Sequence, residues 1–391
     1  MHQTKGHSLK LQLVSILLLS FSLSISAQTN QEINDKLNNL AMELQSLKQQ
    51  QTGPIVNFGG YGEIIYTKTE KGEEKSDSST PEFDNKRFIL FVGYDFSSKW
   101  RLVSEIEVEH ANEIYIEQGY IDYLHSDTFS VQFGTFLLPV GIMNLVHEPT
   151  TFLGVQRSQS ETRIIPSTWR ENGIQTLMQK DGQSFYAYAT SGLKATVDFN
   201  SSGIRKGRQK ASKTNAQDLA LGVRYDYTFK NNSILGFSYY SAAMTYADGE
   251  APAQHTIYDV HYGGQIKAIQ FKFMWVISNL TDTDKLNTSL GLSSEVVAEQ
   301  MEGSYFELGY DLNYGNSKSQ IIPFIRYEDI NTQRQVNESF EADDAQDETY
   351  LTFGVNYKPL SNIVFKVDYT QSKNEAKSGA NIWNTGVGWN F

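Results

Sequence analysis

Between Ile55 and Phe391, apolar and polar side chains change places at every second residue, in runs of ~10 to 13 residues separated by polar segments. Leu219, Leu221, Val223, Tyr225, Tyr227 and Phe229 oppose Asp218, Ala220, Gly222, Arg224, Asp226 and Thr228. Phe306, Leu308, Tyr310, Leu312 and Tyr314 oppose Tyr305, Glu307, Gly309, Asp311 and Asn313. Successive side chains of a strand point to opposite faces, so each run predicts a strand with one apolar and one polar face. About sixteen such strands are expected, near 55–67, 84–96, 99–110, 113–124, 127–137, 171–180, 183–193, 217–229, 232–246, 254–266, 267–278, 303–314, 318–330, 346–358, 361–373 and 381–391. Turn formers mark short connections at Ser97-Ser98, Ser126-Asp127, Asp181-Gly182, Asn231-Asn232, Gly315-Asn316 and Pro359-Leu360. Longer polar segments alternate with them at 68–83, 138–170, 194–216, 247–253, 279–302, 331–345 and 374–380. This regularity predicts an all-β chain, a transmembrane antiparallel β-barrel with an apolar outside and a polar inside. Two joins are weak: the turn near Lys267 has no breaker, and 194–200 could prolong a strand, which leaves about fourteen or eighteen strands open. A β-sandwich or propeller is the competing fold and leaves the outward aromatics unexplained.

Both chain ends agree with a barrel. In the last run, Trp383, Thr385, Val387, Trp389 and Phe391 share one face, while Asn384, Gly386, Gly388 and Asn390 share the other. An aromatic-capped strand as the bare C-terminus suits a barrel-closing strand read by the outer-membrane assembly machinery. At the other end Lys5 and Lys10 precede the apolar stretch Leu11–Leu23, followed by Ser24, Ser26 and Ala27, which predicts a cleaved secretory signal over 1–27. Residues 28–53 differ from all that follows. Ile33, Leu37, Leu40, Leu44 and Leu47 are spaced 4, 3, 4, 3, a heptad seam that predicts a short trimeric periplasmic coiled coil or, lacking a partner, an amphipathic helix. Gly53-Pro54 then ends the helix, and the barrel occupies 54–391.

Composition narrows the function classes. Without Lys5 and Lys10, 31 of the 33 basic residues face 45 acidic ones, a net of −14, which argues against a nucleic-acid partner. The absence of cysteine removes disulfides, zinc-thiolate sites and thiol chemistry. The 22 Tyr, 22 Phe and 5 Trp make up 13% of the chain, as two interfacial girdles require. Five histidines follow the signal, and His255, Asp259 and His261 share a strand face. Side chains two apart on a strand are ~7 Å apart, a weak catalytic or metal constellation, and neither an enzyme nor a cofactor or metal site is expected.

The longest connection, 138–170, carries Leu145, Val146, Phe152, Leu153, Val155, Ile164 and Ile165, with Pro139, Pro149 and Pro166. Such a loop has enough apolar side chains to pack, either folded into the lumen as a constriction or at a subunit contact. The run Gly134-Thr-Phe-Leu-Leu-Pro139-Val-Gly141, then His147-Glu-Pro149-Thr-Thr-Phe152, Val155-Gln-Arg157, Glu161 and Ile164-Ile-Pro-Ser-Thr-Trp169-Arg-Glu171-Asn-Gly173, resembles the corresponding region of the phosphate-selective porin family. The resemblance implies a homotrimeric channel of sixteen strands in a Gram-negative-type outer membrane. It leaves the solute open, because the arginine ladder expected of that family is replaced here by a mixed lining.

On the faces assigned to the lumen, basic residues are Arg87, Arg101, Arg224, Lys272, Arg326 and Lys366; acidic ones are Asp95, Glu105, Glu107, Glu109, Asp226, Glu307, Asp311, Glu328 and Asp368. Glu105, Glu107 and Glu109 lie on an early strand and Arg224, Lys272, Arg326 and Lys366 on later ones, so opposed walls would set up a transverse field unless neighbours pair the charges off. This pattern predicts passive diffusion of small hydrophilic solutes with weak, slightly cationic selectivity. The alternative is an anion or phosphate channel, if Arg157, Arg163 and Arg170 of the loop escape pairing with Glu148, Glu161 or wall carboxylates. Arg205, Lys206, Arg208, Lys210 and Lys213 make one outer loop basic: an anion funnel, a contact for lipopolysaccharide phosphates in the surrounding outer-membrane lipid, or a solvated tip. Glu341, Asp343, Asp344, Asp347 and Glu348 form an acidic run without the spacing of a calcium loop.

Overall fold

A computed structural model describes residues 55–70, 80–244, 253–315 and 318–391. The predicted signal, the seam Ile33, Leu37, Leu40, Leu44 and Leu47, and the Gly53-Pro54 break lie outside the described residues. In chain order the strands are β1 (Ile55–Glu70), β2 (Glu82–Asp95), β3 (Trp100–Glu109), β4 (Glu113–Ser126), β5 (Phe129–Leu137), β6 (Arg170–Lys180), β7 (Gln183–Ser191) and β8 (Leu219–Thr228). They continue with β9 (Ile234–Met244), β10 (Ala253–Ile266), β11 (Ile269–Leu280), β12 (Gln300–Tyr310), β13 (Gln320–Gln335), β14 (Asp347–Leu360), β15 (Ile363–Asn374) and β16 (Asn381–Asn390). Each pairs antiparallel with its sequence neighbours, and β16 returns to β1, closing a barrel of sixteen strands. One short helix, α1 (Thr283–Ser289), follows β11. No helix among the described residues is long and apolar enough to cross a membrane, which says nothing of the strands.

The alternation read from the sequence is the alternation of faces. On β8, Leu219, Leu221 and Tyr227 are exposed, while Ala220, Arg224 and Asp226 are buried. On β13, Ile325 and Tyr327 are exposed, while Phe324, Arg326 and Glu328 are buried. The outer face is therefore apolar and the inner face polar, the reverse of a soluble barrel. The join at Lys267 needs no breaker, because Lys267 itself adopts the left-handed region at φ 53°. The closing ladder of β1 with β16 runs from Glu70 opposite Asn381 to Tyr61 opposite Asn390, and the last residue extends it: the Phe391 N–H donates to Gly60 O at 2.9 Å, and the Gly60 N–H donates to Phe391 O at 3.0 Å. A Cβ on Gly60 would lie 2.8 Å from the Phe391 ring, so the seam needs glycine there.

Inside the barrel lies a second, apolar cluster. Leu138, Ile164, Ile165 and Trp169 of the β5–β6 connection pack with Phe199 and Ile204 of the β7–β8 connection and with Tyr240, Met274, Val276 and Met301 of the wall. Burying such side chains contributes about 1.5–3 kcal/mol each, before the entropy of ordering the loops is counted.

Candidate functional site

The loop between β5 and β6 is closed at its base by a clasp. The Leu138 N–H donates to Trp169 O at 3.0 Å. The buried Asn144 amide donates to both Leu138 O (2.7 Å) and Trp169 O (2.9 Å), and its Oδ1 accepts the Trp169 N–H at 2.6 Å. Gly141 turns the chain at φ +67°, where a Cβ would sit 2.7 Å from both Glu161 Oε1 and Ile165 Cδ1.

Beyond the clasp, inward side chains of the later strands take up the loop's backbone groups. Arg224 of β8 donates to Gly141 O, and Asp259 of β10 accepts the Gly141 N–H at 3.0 Å. Lys358 of β14 donates to Thr150 O at 2.7 Å and Lys272 of β11 to Thr151 O at 3.1 Å. Lys366 of β15 donates to Phe152 O (2.7 Å) and Gly154 O (2.9 Å), while Asp368 accepts the Val155 N–H at 2.6 Å. Arg326 of β13 donates to Gln156 O at 3.2 Å, and Glu328 accepts the Gln159 N–H at 2.6 Å. Charge-assisted bonds of this kind are stronger than neutral ones, and they satisfy a loop backbone shut away from water. Arg224, Lys272, Arg326 and Lys366 thus hold chain, so the opposed-wall field expected from the sequence loses most of its free cations.

The early strands behave otherwise. Arg87 of β2 pairs with Glu63 of β1 at 2.9 Å and lies 4.0 Å from Glu107 of β3, which is 3.6 Å from Arg170 at the start of β6. Glu117 of β4 accepts the Tyr61 hydroxyl (3.0 Å) and lies 3.2 Å from Nε2 of His147, which belongs to the loop. Glu105 is half-buried on β3, and Glu109, at the end of β3, is 3.9 Å from His110.

The loop's own charges separate into committed and uncommitted groups. Glu161 is buried in a single π-helical turn, Ser160–Ile164, and accepts the Met143 N–H (2.8 Å) and the Tyr305 hydroxyl (3.0 Å). Burial raises its carboxyl pKa, against the pull of those donors. Arg163 forms an ion pair with Glu348 of β14. Glu148 holds a buried Oε2 without a hydrogen-bond partner among the described residues. Arg157 forms no ion pair among the described residues, and its Nη2 is a buried donor without a partner. An unmet buried donor costs about 1–3 kcal/mol, so this group is held there by the structure around it. Burial, and after it the neighbouring Arg87, pulls the Arg157 guanidinium down to about 10, which leaves it charged at neutral pH.

Three side chains of the basic outer loop, Arg205, Arg208 and Lys210, are tied to the protein, while Lys206 and Lys213 are exposed. Arg205 donates to Thr162 O (2.9 Å) and Ser167 O; Arg208 donates to Thr168 O (2.9 Å) and Pro166 O (3.3 Å). Lys210 donates to the Tyr115 hydroxyl of β4 at 3.0 Å and sits 4.2 Å from its ring centroid. The Ser201 carbonyl accepts from Thr332 of β13 at 2.7 Å, and the Ser201 hydroxyl donates to Asp343 at 2.7 Å, so part of the acidic run anchors this loop. The β7–β8 connection therefore crosses above the β5–β6 loop, bonded to it and to the wall. Burial, then Arg208 and Arg157, lowers the Arg205 pKa.

A cavity of about 320 Å³ remains between the β5–β6 loop and the wall, lined by Glu63, Arg87, Glu109, Arg157, Arg205, Arg326 and Glu328 among others. Sequence reasoning missed Lys358, Glu63, Glu117 and His147. Glu63 was in reach, because it shares the inward parity of Tyr61 and Ile65; no sequence signal marks His147 as the loop's contact with β4. The histidines of β10 are spoken for: His255 meets Ser278 at 2.9 Å, and His261 lies between Asp259 (2.6 Å) and Asp226 (3.0 Å).

No family model matches the chain. It is 30% identical over 353 residues to an uncharacterized protein of Aquifex aeolicus (strain VF5), across 86% of this chain and 80% of that protein. Among solved structures, an anion-selective porin from Comamonas acidovorans is similar at a TM-score of 0.56 and 9% identity, covering 87% of this chain and 100% of that one. OmpT, an outer membrane protein of Vibrio cholerae in its trimer form, is similar at 0.54 and 12% identity, over 87% and 100%. At such identities the likeness concerns the fold, that of the bacterial outer-membrane barrels. By its sequence the chain belongs to the same family as the Aquifex aeolicus protein.

Proposed function

We propose that the protein is a porin of a Gram-negative-type outer membrane, through which small hydrophilic solutes diffuse without energy input. The observation that carries this reading is the pairing of a closed sixteen-strand barrel, apolar outside, with a polar interior that still holds a charged cavity beside the inward loop. On this reading the loop 138–170 is the constriction, and the resemblance of 134–173 to phosphate-selective porins supports it. The functional unit is a homotrimer, as the trimer form of the Vibrio cholerae protein suggests, with Ile33, Leu37, Leu40, Leu44 and Leu47 as a periplasmic seam after cleavage of 1–27. Phe391 addresses the last strand to the barrel assembly machinery, and the outer aromatics meet lipid and lipopolysaccharide.

One observation favours a local preference for anions. Of the cations at the cavity, Arg87 and Arg326 are balanced by Glu63 and Glu328, whereas Arg157 and Arg205 form no ion pair among the described residues, and Arg205 is spent on carbonyls of the loop. An unbalanced charge in a narrow, partly desolvated passage weighs more than many exposed ones. The test is single-channel recording of the purified protein in a planar bilayer under a potassium chloride gradient. Stepwise conductance in groups of three, with a reversal potential on the anion side, is the expected result. Reversal on the cation side would return the acidic lining to control, and folded trimers that do not conduct would overturn the porin reading.

A further inference from the structure

The cavity beside Arg157 is larger and more two-natured than a passage for inorganic ions needs. We propose that it is a binding subsite for small amphipathic organic carboxylates, aliphatic or aromatic acids, which the channel admits ahead of inorganic anions. The proposal rests on the porin reading and names the solute class of the same passage.

Three features of the lining carry it. The first is size: about 320 Å³ falls at the lower end of the roughly 300–1,000 Å³ typical of small-molecule sites. The second is an apolar side. Ile65 of β1 and Val155 of the loop line it. Ile382 and Phe152 also line the cavity. An apolar surface of this kind, facing a water-filled space, gains by meeting a hydrocarbon body.

The third feature is the number of guanidinium groups left to bind. Arg163 is paired with Glu348, Arg170 lies against Glu107, and Arg205 donates to the carbonyls of Thr162 and Ser167. Arg157 is the arginine of the β5–β6 loop that lines the cavity, two residues along the chain from Val155, which lines it too, and it forms no ion pair among the described residues. One free planar fork matches one carboxylate head, whereas a multiply charged oxyanion calls for several converging cations. Val155 and Arg157 then present an apolar and a cationic contact to the same ligand, and the hydroxyls of Thr67, Thr352 and Thr370 keep the rest of the passage wet.

The experiment uses the same bilayer recordings of the full-length trimer in potassium chloride, adding sodium benzoate, hexanoate, acetate or phosphate to one side. Benzoate and hexanoate are expected to block the current at about tenfold lower concentration than acetate or phosphate. Arg157→Gln removes the block, and Arg157→Lys, which keeps the charge but loses the fork, weakens it. Val155→Thr brings the benzoate half-blocking concentration up to that of acetate and leaves the acetate value where it was, a change in ratio that general loosening of the loop does not produce. Heat-modified mobility of each variant on gels confirms a folded trimer. Phosphate blocking more strongly than benzoate overturns the proposal in favour of an oxyanion site. Block by none of the four in a conducting channel overturns it while the porin stands, and a folded trimer without conductance overturns both.

Discussion

Along β8 to β15 the buried charges reach for the backbone of the inward loop; along β1 to β4 they reach mainly for one another. Arg326 and Lys366 end on the carbonyls of Gln156, Phe152 and Gly154, whereas Arg87 ends on Glu63, beside Glu107. Both arrangements satisfy groups that could not be buried bare. Their consequences differ. A lysine bound to two carbonyls is fixed in place and shielded by the chain it holds, so it acts as a fastener. An ion pair beside a cavity leaves a residual field in that cavity. The later wall is thus mainly a mount for the loop, although its Arg326 and Glu328 also border the cavity, while the early wall meets the cavity with its Arg87–Glu63 pair and Glu109.

Substitutions on the two walls should therefore separate stability from selectivity. The largest effect is expected for Arg326→Met, which strips the donor from Gln156 O and leaves Glu307 and Glu328 buried without their partner. Breaking a buried pair costs about 3–5 kcal/mol, read as a lowered midpoint of thermal or urea unfolding in detergent. Lys366→Met comes next: two carbonyls lose a charged donor, at about 1.5–3 kcal/mol for a hydrogen bond to a charged group. Here single-channel recordings should also show larger, noisier steps as Phe152–Val155 leaves the wall. Arg205→Gln should act in the same direction more weakly, because Arg208 still holds the outer loop to Thr168 and Pro166; conductance is the readout. Smallest in stability is Glu109→Gln on the passage side, within about 0.5 kcal/mol of the parent. Its effect should appear in the reversal potential, shifted further toward anions. A Glu109→Gln barrel that unfolds early, or an Arg326→Met barrel altered only in selectivity, would break the division between the walls.

Much of the barrel was readable, with limits that have physical causes. β8 and β12 stand out because lipid-facing and lumen-facing demands differ at every residue. The alternation at 303–314 overshoots β12, since Leu312 and Tyr314 continue it although the strand ends at Tyr310. The strand at 318–330 was read too short. β13 continues to Gln335, where Asn331 to Gln335 pair or bond above the apolar band and no outward hydrophobic marks the period. The candidate site was less legible. Its residue types were visible in Arg157, Arg163, Arg170, Glu148 and Glu161, but not which arginine would be left without a partner. For the basic stretch Arg205–Lys213 the sequence leaves an anion funnel, a lipopolysaccharide contact and a solvated tip open, because a sequence does not say whether an arginine will meet water or a carbonyl.

By itself the sequence determined the inward and outward faces, a strand number near sixteen and the last strand as the closing one. These depend on local periodicity and on a solvent contrast that every second residue must obey. The tertiary structure alone decided where the charges are spent. Whether Lys366 faces a pore or a carbonyl depends on a loop more than two hundred residues away in the chain. Hydrogen-bond partners at that separation leave no periodic trace, because one staple places a demand on two positions and none on the residues between them.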